Sequence, residues 1–226
     1  MNVLNIVLVS AFGFCLILLI VYLCVIKSME VNRANSYNLI NKSAKKGEIV
    51  FFGDSLTDFF PLQEFIDVPT IYNRGIAGNT TANLLARLDN VIGLQPSKLF
   101  LQIGTNDLSQ GKKPAFIVAN IKKIVDQIKL ACPNIKVYVI STYPIRRRKN
   151  LWAHIVCGLR TINKLQKINA LLEKLCKEEG LSYINMWDTL CDEKNICKKE
   201  YTVEGLHITI LGYCAITQVL RPYIEE

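Results

Sequence analysis

Charge is missing from the start of this chain. No Asp, Glu, Lys or Arg occurs between Val3 and Ile26, and the first basic residue is Lys27. An uncharged apolar run of this length, at about 1.5 Å per residue, can cross a hydrocarbon core roughly 30 Å thick. The marks of a cleaved leader are missing too. There is no basic start, no short apolar centre and no A-x-A pattern. Neither Cys15 nor Cys24 follows a small residue, which argues against lipoprotein-type processing. Residues 1–26 are expected to form an uncleaved transmembrane anchor, 27–46 a polar linker or helical stalk, and 47–226 one folded domain.

Other absences narrow the function. The chain has no internal repeat and no low-complexity tract, and half of its 226 residues are hydrophobic, so global disorder is excluded. Its eight cysteines include no C-x-x-C pair and no zinc spacing. Cys191 and Cys197 could close a small loop if oxidised, although buried or idle thiols are the simpler expectation. The net charge of +8 is carried beyond the anchor, densest at Arg146-Arg147-Arg148-Lys149. No aromatic interleaving or recognition motif accompanies these residues, which speaks against nucleic acid. A solvated loop explains the run, and contact with anionic lipid headgroups is the sharper alternative. Basic residues that follow the span but do not precede it favour a cytoplasmic domain. Six thiols beyond the anchor lean the same way.

What is present is an alternation. Apolar runs at Glu48–Phe52, Thr70–Asn73, Lys98–Ile103, Lys136–Ser141 and Ser182–Met186 read as strands. Between them, Ala115–Leu130 and Thr161–Glu179 carry apolar side chains at three- and four-residue steps, and Gly180 sits where a helix C-cap is expected. Continuous apolar strands alternating with helices predict an α/β fold, a five-stranded parallel sheet covered on both faces. In such sheets ligands bind beyond the carboxyl ends of the strands.

Those ends are chemically distinctive. The first strand runs into Gly53-Asp54-Ser55, the second into "NRGIAGNTT" (Asn73–Thr81) and the third into "GTND" (Gly104–Asp107). "VEGLHITILGY" (Val203–Tyr213) precedes the last helical segment. Serine needs a base to become a nucleophile, and histidine titrates in the useful range. Glycine N–H groups and an asparagine amide can stabilise the oxyanion of acyl transfer. Singly, each residue has a plainer role: Ser55 a helix cap, Gly78 a turn glycine, Asn106 an Asx-turn residue, His207 a packed histidine. His154, the other histidine, has no motif around it and reads as surface or edge packing.

Together these blocks resemble the GDSL, or SGNH, hydrolase family over about Glu48–Tyr213. The resemblance implies a flavodoxin-like three-layer α/β/α sandwich, with Ser55 as nucleophile, Gly78 and Asn106 joining Ser55 as oxyanion donors, and His207 as base. It implies a carboxylic-ester hydrolase that needs no metal or cofactor. One position departs. The family's aspartate three residues before the histidine is here Glu204, which leaves open a triad of altered geometry, a Ser55–His207 dyad, or a binding protein without activity. Asp54 is expected to fix its turn and Asp107 to tie down the Asn106 loop. Ser55 is not in a G-x-S-x-G elbow, and "GTNDLSQGKK" fails the phosphate-loop spacing. The substrate expected is an O-acetylated sugar or another short acyl ester. The alternatives are a lysophospholipase or thioesterase working on longer chains. The membrane is a partner through the anchor.

Overall fold

A computed structural model describes residues 3–147 and 151–226. Five parallel strands form one sheet in the order β2-β1-β3-β4-β5. They are β1 (Ile49–Gly53), β2 (Ile71–Gly75), β3 (Lys98–Gln102), β4 (Lys136–Ile140) and β5 (Ser182–Ile184). Each begins or ends within two residues of its expected bounds. Successive side chains of a strand point to opposite faces, and both faces are covered. Val50, Phe52, Leu99, Leu101, Val137 and Val139 belong to one buried cluster. Ile49, Phe51, Phe100, Tyr138 and Ile140 belong to the other, where Phe51, Phe100 and Tyr138 stack in sequence with centroids 4.6 Å apart.

The helices supply the outer layers. α1 (Val3–Ile40) precedes the sheet. Short helices α2 (Ser55–Asp58) and α3 (Leu62–Phe65) follow β1, and α4 (Thr81–Leu85) and α5 (Asp89–Ile92) follow β2. β3 leads through α6 (Thr105–Ser109) to α7 (Pro114–Ala131), and β4 through α8 (Leu151–Cys157) to α9 (Ile162–Glu179). After β5 come α10 (Trp187–Leu190) and α11 (Ile210–Glu225). α7 buries Ile117, Ile121, Ile124, Val125 and Ile128 of the expected stripe, whereas Phe116 in its first turn is exposed. α9 is capped by the Thr161 hydroxyl and ends at Gly180 with φ 63°, the left-handed cap its sequence called for. The three-layer sandwich stands as expected.

Residues 27–40 take the helical-stalk form, but they do not stand free. Glu30, Arg33, Tyr37 and Asn41 recur at steps of three and four, and all four touch the domain. The Glu30 carboxylate accepts from Asn79 (2.9 Å) and Asn83 (2.6 Å), and Arg33 pairs with Asp58. The Tyr37 hydroxyl donates to the Gly75 carbonyl (2.9 Å), and its ring lies under Arg74. Asn41 accepts from Arg74 (2.7 Å) and donates to the Asn90 carbonyl (2.9 Å). α1 is one helix long and apolar enough to cross a membrane.

Of the basic run, Arg146 pairs with Asp192, and Arg147 donates to the carbonyls of Gly158 and Arg160. Arg148 and Lys149 lie outside the described residues. Cys191 and Cys197 face one another across an isolated bridge with both thiols free and buried. Burial pushes them up to about 11 and about 12.

Candidate active site

Ser55 opens α2 at the carboxyl end of β1. The helix cap is not Ser55 but Asp54, whose carboxylate accepts from the Leu56 N–H at 3.0 Å. That leaves the Ser55 hydroxyl uncommitted to local capping. It lies 3.1 Å from Nε2 of His207. Nδ1 of His207 meets the Glu204 carboxylate, and the other Glu204 oxygen accepts from the His207 N–H at 3.3 Å. Glu204, His207 and Ser55 thus form one hydrogen-bonded chain. The Phe59 ring lies beside the imidazole, centroids 5.3 Å apart.

The 203–209 turn is held from several sides. His207 O accepts from the Val203 N–H (2.9 Å) and the Thr202 hydroxyl (3.0 Å), and the Gly205 carbonyl accepts from the Arg146 N–H (2.8 Å). Gly205 has φ 114°, and a Cβ there would stand 2.2 Å from the Arg146 carbonyl oxygen, so no larger residue fits. The Tyr213 hydroxyl donates to the Leu56 carbonyl at 2.9 Å, tying the helix that begins at Ser55 to the helix that follows His207.

Gly78 and Asn106 arrive from neighbouring strand ends. Gly78 has φ 82° with nothing near its missing Cβ, so conformation rather than space selects glycine. Neither the Ser55 nor the Gly78 N–H has a hydrogen-bond partner among the described residues. Asn106 Nδ2 donates to the Asn79 carbonyl at 3.0 Å and stands a long 3.4 Å from Asp54. Asp107 does more than steady its own loop. It accepts from the Thr81 N–H (3.0 Å) and hydroxyl (2.6 Å), locking the Asn106 loop to the helix after Gly78. His154 is exposed on α8.

Two arginines not singled out from the sequence organise the loops. Buried Arg160 donates to the Thr105 carbonyl (2.9 Å) and to Asn106 Oδ1 (2.6 Å). A guanidinium only donates, so Oδ1 must face Arg160 and Nδ2 must face the site. Buried Arg87 donates to the Gly53 carbonyl (2.9 Å), the Arg74 carbonyl (2.9 Å) and Asn79 Oδ1 (2.6 Å), joining the ends of β1 and β2. Burial lowers both guanidinium pKa values, Arg87 to about 10. Burial likewise pushes the Asp54 carboxyl up to about 7. No group of three or more His, Cys, Asp or Glu that could hold a metal occurs among the described residues.

Known proteins are similar to this chain in sequence and fold. The family model for GDSL-like Lipase/Acylhydrolase matches residues 51–215. The chain is 26% identical over 190 residues to the N-acylneuraminate cytidylyltransferase of Streptococcus agalactiae, covering 83% of this chain but only 40% of that protein. It is 24% identical over 184 residues to platelet-activating factor acetylhydrolase IB subunit alpha1 of Pongo abelii, covering 78% of this chain and 75% of the relative. A solved structure from Streptococcus pneumonia, described in terms of platelet activating factor, superposes with a TM-score of 0.81 at 26% identity. It covers 99% of this chain and 100% of its own. With the family match spanning the sheet and its strand-end loops, this chain belongs to the GDSL-like lipase/acylhydrolase family.

Proposed function

We propose that Ser55 is the nucleophile of a membrane-anchored esterase that works through a Ser55–His207–Glu204 triad. The observation that carries this reading is the hydrogen-bonded chain from Glu204 through His207 to Ser55. Nδ1 donates its proton to Glu204, which leaves Nε2 as the acceptor facing the Ser55 hydroxyl. Glutamate's extra methylene is absorbed by the turn, so the third member is present although the residue type has changed.

Ser55 attacks the ester carbonyl as His207 takes its proton. The free N–H groups of Ser55 and Gly78 and one Asn106 N–H receive the oxyanion. The long Asp54 contact is the one a developing negative charge displaces, while the Asn79 bond keeps the amide in place. His207 then protonates the leaving alcohol, and water releases the acyl group. A relative named as an acetylhydrolase favours a short acyl group. The uncharged run of α1 supplies the anchor.

A fluorophosphonate probe tests the nucleophile directly. Wild type labels at Ser55 and hydrolyses p-nitrophenyl acetate, whereas Ser55→Ala does neither. Turnover above a few per cent of wild type in Ser55→Ala overturns the assignment. A panel of acyl chain lengths ranks the substrates.

A further inference from the structure

Because α1 is docked, the anchor and the sheet have a fixed relation. From its carboxyl end backward, α1 touches Arg74 and Asn90 through Asn41, then Gly75 at the end of β2 through Tyr37. It then reaches Asp58 through Arg33 and the Gly78 loop through Glu30. α1 therefore runs antiparallel to the strands, and its amino end leaves the domain on the side where the strands end. No Gly or Pro stands between Gly13 and Gly47 to bend it. Ile26, the last residue of the uncharged run, lies four residues, about 6 Å, along the axis from Glu30. Glu30 itself is bonded to Asn79, next to Gly78.

That end of the domain also carries exposed apolar side chains. Beyond α1, the exposed large hydrophobic side chains among the described residues lie there with one exception, Leu130 in the last turn of α7. They include Phe59 beside His207, Val203 and Leu211 flanking the histidine turn, and Trp152 and Ile155 on α8. The basic residue Lys27 directly follows Ile26 on α1, and Arg147 is bonded to the Gly158 and Arg160 carbonyls just after α8. An apolar rim with basic neighbours suits an anionic bilayer.

We propose that the strand-end face lies on the bilayer that α1 crosses, so that Ser55 takes an ester presented at the headgroup level of the membrane, an amphiphilic lipid ester. This rests on the esterase and anchor readings above. The docked helix aims the site, and the rim around it meets the lipid.

The test uses the full chain reconstituted in vesicles of phosphatidylcholine and phosphatidylglycerol. Trp152 is exposed and Trp187 is buried, so lipids brominated near the acyl carbonyl are expected to quench the Trp152 component of fluorescence. The difference from Trp152→Phe isolates that component. A flexible Gly/Ser insert of about ten residues between Ile26 and Lys27 frees the domain to tumble. It is expected to leave hydrolysis of soluble p-nitrophenyl acetate unchanged. Hydrolysis of a bilayer-embedded ester should fall by about fivefold or more as orientation is lost. An unquenched Trp152 in protein that floats with the vesicles overturns the proposal, as does an equal activity ratio with and without the insert. Protein that fails to float overturns the anchor and the proposal with it. Turnover retained by Ser55→Ala, with Trp152 quenched, removes the substrate assignment and upholds the docking face.

Discussion

Glu204 is where this chain departs from the pattern of its family, and it is the residue whose replacement is most informative. One oxygen of its carboxylate meets Nδ1 of His207 and the other accepts from the His207 backbone N–H. Glu204→Gln is expected to lower kcat by a factor of the order of 10²–10⁴ with thermal stability nearly unchanged, as for loss of a triad carboxylate. Glu204→Asp is expected to keep substantial activity. Near-wild-type turnover in Glu204→Gln would leave a Ser55–His207 dyad. Arg160 acts one residue further out. Arg160→Lys loses the fork that holds both the Thr105 carbonyl and Asn106 Oδ1. The Asn106 amide is then free to turn over, so kcat should fall about tenfold or more with KM little changed. A pure KM effect would show that Arg160 shapes the pocket instead.

At the scale of elements, the active arrangement is a set of short helices clamped to strand ends. α2 is one turn long and cannot hold its own shape. Asp54 caps its start, and the Tyr213 hydroxyl holds its Leu56 carbonyl. Tyr213→Phe removes that one bond at nearly constant volume and leaves a buried carbonyl short of a partner. It is expected to cost about 1–3 kcal/mol in urea unfolding and to lower kcat by loosening the Ser55–His207 distance. Asp54 carries a pH dependence. Its folded pKa stands near 7, above the ordinary carboxylate value, so the folded protein binds more protons than the unfolded chain between those values. Its contribution is therefore destabilising as pH rises from about 4 to 7 and constant above that. Asp54→Asn, which stays neutral, is expected to gain stability relative to wild type between pH 5 and pH 8. Parallel urea titrations at the two values check it, and a difference that does not grow with pH contradicts the assignment.

For the whole molecule, the question is where the domain begins. Deleting residues 1–26 removes only the uncharged run and is expected to yield a folded, active protein in solution. Deleting 1–41 strips Arg74 of its Asn41 acceptor. It also strips Asn90 of bonds to Ala34 and Asn38 at 2.9 and 2.6 Å. Each buried group left without a partner costs about 1–3 kcal/mol. The longer deletion should melt several degrees lower than the shorter one, measured side by side by circular dichroism. Equal melting temperatures would mean that the stalk adds nothing to the fold.

The sequence by itself determined the strands, the long helices, the three blocks at strand ends and the histidine loop before the last helix. These are local properties: an apolar run bounded by glycine, a stripe at helical spacing, a Ser, Gly, Asn and His each placed just after an element. The family resemblance also marked Glu204 as the odd position, because an aspartate is expected three residues before the histidine. Only the tertiary structure decided how the pieces meet. The segment after the anchor reads from its sequence only as a polar linker or helical stalk, because its docking face is made of Glu30, Arg33, Tyr37 and Asn41, which leave no apolar stripe. Arg87 and Arg160 were invisible for the same reason: a charged residue between apolar helices reads as solvated until the carbonyls it satisfies are seen. The direction in which the apolar helix leaves the domain is likewise a property of no segment. It arises because a helix that must lead into the amino end of β1 can pack along the sheet edge in one direction only, and its uncharged half then emerges at the end of the domain where the strands end.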